Sequence, residues 1–406
     1  MDAPGTVKDG AGAPQLTRII ALCFLVSTLE GFDIQALGVA APRLAPALHL
    51  AANQIGWMFA IGNIGLIVGA LFGGRLADHV GRKRVLLAST LVFGLATLVM
   101  ASLHGYLPPL TARFFAGVGF GAAVPNIMAI AAESSPAGRR GATIAAMMCG
   151  LPVGGALVAF VSQLLPPDLS WRTLFVIGGL LPLPIAAAIG LWLPDLYRGS
   201  GARHSDALPV GETLFANGRA PRTLLVWSAF LPIMAVLYLI LNWLPLLVTA
   251  KGLDPRTAPQ ASLAFNAASM VGSVLIGAWV DRAGRRWPIA IASVALILSL
   301  LWLVQQSDRG GMLLASAATG FFLMAVDFSL YEISSSQYPT RGRGTGAGAA
   351  AAVGRIGSVL GPLLAGWLLT GGASANTVLR VLVPLVAFAG LALFVLSFFE
   401  RKGTTD

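Results

Sequence analysis

Long apolar runs separated by short polar turns fill this chain. Runs able to cross about 30 Å of hydrocarbon at roughly 20 residues each begin near Thr17, Gln54, Val85, Leu107, Ala142, Thr173, Thr223, Pro259, Ile289, Met312, Thr345 and Thr377, which predicts twelve membrane-spanning helices. The longest polar segment between them, residues 194–222, carries Arg198, Arg203, Asp206, Glu212 and Arg219 and follows the sixth run. It is expected to be a cytoplasmic linker between an N-terminal six-helix bundle, 17–193, and a C-terminal one, 223–399, with cytoplasmic tails at 1–16 and 400–406.

One polar turn is repeated. Gly73-Gly74-Arg75-Leu76-Ala77-Asp78-His79-Val80-Gly81-Arg82-Lys83-Arg84 comes round again as Gly277-Ala278-Trp279-Val280-Asp281-Arg282-Ala283-Gly284-Arg285-Arg286. A single offset of 203 positions carries Gly74 onto Gly277, Asp78 onto Asp281, Gly81 onto Gly284 and Arg82 onto Arg285. The same offset matches Asn63 with Asn266, Gly69 with Gly272, Pro136 with Pro339, Arg140 with Arg343 and Gly141 with Gly344. The chain reads as two related halves, an organisation expected of secondary transporters. In each copy Gly is expected to supply a positive φ, Asp to cap the next helix, and the cations to hold the loop on the cytoplasmic side. Two such basic turns at one offset, each ending an apolar run, resemble the loop signature of the major facilitator superfamily. That resemblance implies an all-α membrane protein with twelve transmembrane helices in two pseudo-symmetric six-helix bundles.

Composition agrees with the pattern. Hydrophobic residues make up 56% of the chain and charged residues 11%, against about a quarter charged in soluble domains. A formal charge of +10 would suit a nucleic-acid binder, but these cations cluster in short loops, so no nucleic-acid partner is expected. With the N-terminus inside, 19 Lys and Arg fall in or beside cytoplasmic segments and six on the opposite side. Both termini are therefore expected in the cytoplasm, with the chain in the inner (cytoplasmic) membrane and the lipid bilayer as its surroundings. Residues up to Pro14 lack the basic start and cleavage site of a signal peptide. Cys23 and Cys149 lie in apolar runs and read as small core residues. His49, His79, His104 and His204 fall in or near loops and form no ligand spacing, so no metal, cofactor or catalytic centre is expected. Glycines such as Gly117, Gly119 and Gly121 or Gly154 and Gly155 suit close helix packing, and equally helices that slide or bend.

Ionisable groups inside the spans are few. Such groups face a partner or a watery cavity and mark a pathway. Glu30 and Asp33, at i and i+3 in the first span, are expected on one face as a repelling pair that takes up a proton readily, with Arg113 as the fixed partner if the pair is structural. Arg113 begins an Arg-x-x-x-Gly-x-Gly run in the fourth span that resembles a superfamily motif implicated in proton transfer. Arg355 falls midway along the eleventh span and Asp327 well inside the tenth. Glu133-x-x-Pro136-x-x-x-Arg140-Gly141 resembles a gating-loop signature whose second copy has Ser336 in place of Glu, which makes Glu133 an expected partner of the basic loops. Gly74, Asp78, Gly81, Arg82, Glu133 and Arg140, with Asp281, Gly284, Arg285 and Arg343, form the expected gating loops.

Three further stretches are more particular. Glu30-Gly31-Phe32-Asp33 followed by Gln35 and Ala40-Ala41-Pro42, then Asn242-Trp243-Leu244-Pro245, then Gly354-Arg355-Ile356-Gly357 before Gly361-Pro362, resemble the aromatic acid:proton symporters, above all the 3-(3-hydroxyphenyl)propionate carriers. Many members of that family carry Asp where this chain has Glu30. The resemblance spans nearly the whole chain and implies import of an aromatic carboxylate, of hydroxyphenylpropionate or hydroxybenzoate type, with protons by alternating access. Such a substrate needs a cation, stacking surfaces, and donors or acceptors for ring hydroxyls. Arg355 is the candidate clamp, with a permanent ion pair to Asp327 as the competing assignment. Trp57, Phe59, Tyr238, Trp243, Phe265 and Tyr331 are candidate stacking surfaces, and Gln35, Asn63, Asn242 and Asn266 candidate polar contacts. Packing or a membrane-interface role competes for each aromatic. A monomer is expected. On the residues alone, export, uptake of a non-aromatic anion such as a sugar acid, and a membrane receptor remain open.

Overall fold

Residues 13–135, 143, 146–166, 171–193, 209–339 and 342–399 are described in a computed structural model of the chain, and no strand occurs among them. The helices of the first half are α1 (Ala13–Ala47), α2 (Ala52–Val80), α3 (Arg82–Met100), α4 (Leu107–Ser134), α5 (Gly150–Leu164), α6 (Arg172–Leu180) and α7 (Pro182–Trp192). A short α8 (Val210–Phe215) precedes α9 (Ala220–Ala250), α10 (Thr257–Ala283), α11 (Arg286–Gln305), α12 (Arg309–Ser336), α13 (Arg343–Thr370) and α14 (Ala375–Leu396). Among the described residues, twelve spans are long and apolar enough to cross a membrane. The sixth is interrupted at Leu181, because Pro182 lacks the N–H that would continue the helical ladder. Of the expected linker, residues 194–208 lie outside the described residues, as do both tails up to residue 12 and from residue 400.

The repeat read from the loops runs through the packing. In the first half α2 packs on α4 and α1 on α5; in the second α10 packs on α12 and α9 on α13. Three glycine contacts recur at the same offset. A Cβ on Gly117 would strike the carbonyl of Gly62, and one on Gly320 that of Phe265. Gly69 meets the carbonyl of Val118 as Gly272 meets that of Phe321, and Gly154 that of Thr28 as Gly357 does that of Leu231. Each pair brings two helix backbones closer than any side chain permits, the packing expected where lipid supplies no hydrophobic drive between helices.

The halves meet along α2 with α13, α5 with α10, and α1 with α9. At the end where α2 begins and α13 finishes, here called the far end, the Asn53 N–H donates to Thr370 Oγ1 at 2.9 Å and Gly56 abuts Gly366. The opposite, loop end carries the repeated turns. Gly81 (φ 95°) and Gly284 (φ 75°) hold the left-handed backbone expected of them. The aspartates do not cap. Asp78 lies within α2 and Asp281 within α10, and the following helices have Gly81 and Arg285 at the N-cap position, without a side-chain cap. A capping side chain must itself leave the helix, and both residues remain helical.

Candidate functional site

Charged side chains within the spans gather at two places. At the first, Arg113 of α4 donates through Nη1 to Asp33 Oδ2 at 2.6 Å, and Thr97 of α3 donates its hydroxyl to Asp33 Oδ1 at 2.7 Å. All three residues are buried. Both carboxylate oxygens are occupied, as a buried ion pair requires if it is to offset its desolvation. Phe59, Asn63 and Asn242 line the small pocket beside the pair. Gly62 gives the guanidinium its room, since a Cβ there would lie 3.4 Å from Nη2.

The second place centres on Arg355 of α13, which is partly exposed. Its Nη1 donates to the Tyr238 hydroxyl of α9 at 2.8 Å. Glu30 of α1, Asp327 of α12 and Tyr331 of α12 lie within electrostatic reach of the guanidinium. Neither carboxylate forms an ion pair with Arg355 among the described residues, and Asp327 Oδ1 is buried without a hydrogen-bond partner. Arg355 and Asp327 are therefore neighbours without being locked together. Tyr331, one turn beyond Asp327 toward the loop end, is 39% exposed, and Phe230 meets it edge to face at 5.1 Å between centroids. The group combines one anchored cation, two carboxylates and an accessible aromatic ring.

Glu30 and Asp33, expected to act as one dyad, are shared between these places. Because α1 packs against both α4 and α9, Asp33 turns its charge to Arg113 while Glu30 feels the charge of Arg355. The pairing of Asp33 with Arg113 matches the structural alternative for that residue.

The amides form a third feature. Gln35 Nε2 donates to Asn266 Oδ1 at 3.0 Å, and Asn266 Nδ2 returns a bond to Gln35 Oε1 at 2.7 Å. Asn63 Nδ2 donates to the Ser358 carbonyl at 3.0 Å. The two repeat-related asparagines, expected as substrate contacts, thus each reach across to the other half. Asn242 donates to the Tyr238 carbonyl at 2.7 Å within its own helix.

Two aromatic expectations need correction. Trp243 is fully buried, donates through Nε1 to the Pro362 carbonyl at 3.1 Å, and packs edge to face on Phe59 at 5.4 Å. Filling the α2–α9–α13 junction leaves no ring face for a ligand. Trp57 is 47% exposed on the outward stripe of α2 that also carries Leu71 and Phe72, away from Phe59 and Asn63; that stripe suits the membrane interface.

At the loop end, Arg285 pairs with Glu332 at 2.9 Å and donates to Ser336 Oγ at 2.8 Å. Asp78, Asp281 and Arg343 are exposed, and Gly74 has open space beside it. Arg82 opens α3. The Glu133 side chain and Arg140 lie outside the described residues. Thr97, Phe230 and Ser358 belong to the site and were not picked out from sequence. A hydroxyl, a ring and a backbone carbonyl on apolar spans give no signal without knowing what faces them.

Comparison with known proteins places the chain in a family. The chain is 38% identical to the 3-(3-hydroxy-phenyl)propionate transporter of Escherichia coli (strain K12), over 96% of each chain. It is 31% identical to the gallate transporter of Pseudomonas putida, over 96% of this chain and 94% of that protein. The fold matches the crystal structure of a bacterial homolog of the human lysosomal transporter Spinster, in an inward-facing and occupied conformation, with TM-score 0.79 at 16% identity, covering 96% of this chain and 98% of that one. The family model of the Major Facilitator Superfamily matches residues 23–274 and 252–406, so this chain, a multi-pass membrane protein with the fold its repeated loops announce, belongs to that superfamily of transporters.

Proposed function

We propose that the protein imports a small aromatic carboxylate together with protons across the inner membrane, with both termini in the cytoplasm. The observation that carries this reading is Arg355, anchored by Tyr238 at mid-span yet unpaired with the two carboxylates beside it. A guanidinium fixed through one nitrogen keeps other N–H groups for a carboxylate fork, and transporter sites lie near mid-membrane where the halves meet. Tyr331, accessible and braced by Phe230, offers the ring face an aromatic acid needs. Transport of aromatic acids by the similar proteins supports the same substrate class.

Charge balance supports the coupling. With Glu30 and Asp327 ionised, Arg355 leaves the group one negative charge in excess. A second anion entering a poorly hydrated site raises that cost steeply, and a proton on either carboxylate removes the increment. Substrate and proton then enter as a neutral sum, and alternating access carries them through. The test is uptake of labelled aromatic and aliphatic acids into proteoliposomes, with and without an inward proton gradient. Accumulation of an aromatic acid only under the gradient, lost in Glu30→Gln and Asp327→Asn while counterflow persists in at least one of them, is expected. Accumulation indifferent to the gradient defeats the coupling, and preference for an aliphatic acid defeats the substrate class.

A further inference from the structure

We propose that a cleft at the loop end of the second half, between the start of α11 and the ends of α12 and α14, binds the phosphate headgroup of an anionic phospholipid. The cleft is lined by Arg285, Arg286 and Ile289 at the start of α11, facing Ile333 and Gln337 of α12 and Leu393, Phe394 and Ser397 at the end of α14. Its two arginines are in different states. Arg285 is neutralised by Glu332 and Ser336. Arg286 is exposed and, among the described residues, meets only aromatic rings: its Cζ lies 4.2 Å from the Phe398 centroid, 5.3 Å from Phe394 and 5.6 Å from Trp287.

A guanidinium over an aromatic ring keeps its N–H edge free to donate. Placed over Phe398, Arg286 presents an unneutralised fork, and a phosphate matches it with two parallel bonds. The rings also fix the depth. Trp287 and Phe398 are 62% and 59% exposed at the ends of membrane-spanning helices, the level at which aromatic residues meet lipid headgroups. Arg222 lies over Phe399, 5.6 Å from its centroid, and adds a second cation at that level. Gln337 and Ser397 share the rim with the charge, and one turn deeper in the spans Ile289, Ile333 and Leu393 make the wall aliphatic, as an acyl chain requires and a hydrated inorganic anion does not. Basic pockets between spans that open to the bilayer take acidic lipids for these reasons.

The experiment titrates the full-length protein in detergent with phosphatidylglycerol and with phosphatidylcholine of the same acyl chains, counting bound lipids by native mass spectrometry. Phosphatidylglycerol should bind the wild type in preference, and Arg286→Gln should weaken that binding by about fivefold and weaken that of phosphatidylcholine, whose ammonium offsets its phosphate, by less. Arg286→Lys, which keeps the charge and loses the planar fork, should fall between. Arg309→Gln, removing one exposed arginine at the far end, should bind as wild type does. Equal binding by wild type and Arg286→Gln overturns the proposal, as does an equal loss in Arg309→Gln. Complete displacement of the lipid by millimolar inorganic phosphate overturns the lipid as the ligand.

Discussion

The reciprocal bond between Gln35 and Asn266 closes one route by which the halves can part. Both side chains are buried, at 2% and 1% exposure, and they exchange bonds of 3.0 and 2.7 Å between α1 and α10. A neutral bond contributes about 0.5–1.5 kcal/mol net, so the two stabilise the conformation closed at the far end by about 1–3 kcal/mol. Replacing both residues with Leu should therefore shift the balance toward far-end opening by about 5- to 150-fold. Either single replacement leaves the other amide buried with its cross-helix bonds unmade, Asn266 keeping only its bond to the Ser262 carbonyl at 2.8 Å, which itself costs about 1–3 kcal/mol. The double variant should thus shift less than the sum of the singles. Gly155→Ala should act in the same direction, because its Cβ would lie 2.6 Å from Asn266 Oδ1. The assay is electron–electron distance measurement between spin labels on the far ends of α2 and α13. A wild-type distance distribution in the double variant, or strictly additive singles, would refute the reasoning.

Other substitutions separate the remaining roles. Arg355→Lys keeps the charge and loses the fork held by Tyr238, so binding of a labelled aromatic acid should weaken by about 1.5–3 kcal/mol; rescue of Arg355→Ala affinity by Asp327→Asn would instead mark a structural pair. Asp33→Ala strands Arg113 and should destabilise the protein by about 3–5 kcal/mol in thermal unfolding, with part of the loss recovered in Asp33→Ala/Arg113→Ala; an unchanged melting temperature in the single variant counts against the pair. Gly117→Ala and Gly320→Ala each drive a methyl into a facing backbone carbonyl and should cost about 1–3 kcal/mol apiece; a harmless change at either site denies the shared packing.

The fold was legible because its signals are long-range averages or exact repeats. Apolar runs mark the spans, and glycines at one offset mark the halves. The candidate site was legible only where a charge stood out against lipid: Glu30, Asp33, Arg113, Asp327 and Arg355 all lie in the two charged groups. Which charge serves which partner was not. The spacing of Glu30 and Asp33 describes α1 alone, whereas their division depends on α4 and α9 packing against it. Aromatics were least legible. Trp243 and Tyr331 look equivalent in a list of residues, yet one is sealed against Pro362 and the other is exposed toward the loop end of α12.

Duplication explains what the halves share, and its breaks locate what they do differently. The offset of 203 that superposes the packing glycines carries Glu30 onto Ile233, Asp33 onto Val236 and Arg113 onto Ser316, and carries Asp327 back onto Val124 and Arg355 back onto Pro152. Every one of these charges within the spans exists once. A scaffold built twice can part and close about its pseudo-axis with matched contacts on either side, and Asn63 and Asn266 serve that symmetric part by reaching across in both directions. A site for one asymmetric ligand cannot be symmetric. The first half keeps a closed pair, Asp33 with Arg113, and contributes the spare acid Glu30, while the second contributes the cation, the second acid and the accessible ring. The loop end shows the same divergence on a smaller scale. Ser336 stands at the position of Glu133, and the acid that holds Arg285 is Glu332, one helical turn earlier on the same face. A turn of helix is a distance an arginine side chain can span, so Arg285 reaches an acid displaced from the repeat position.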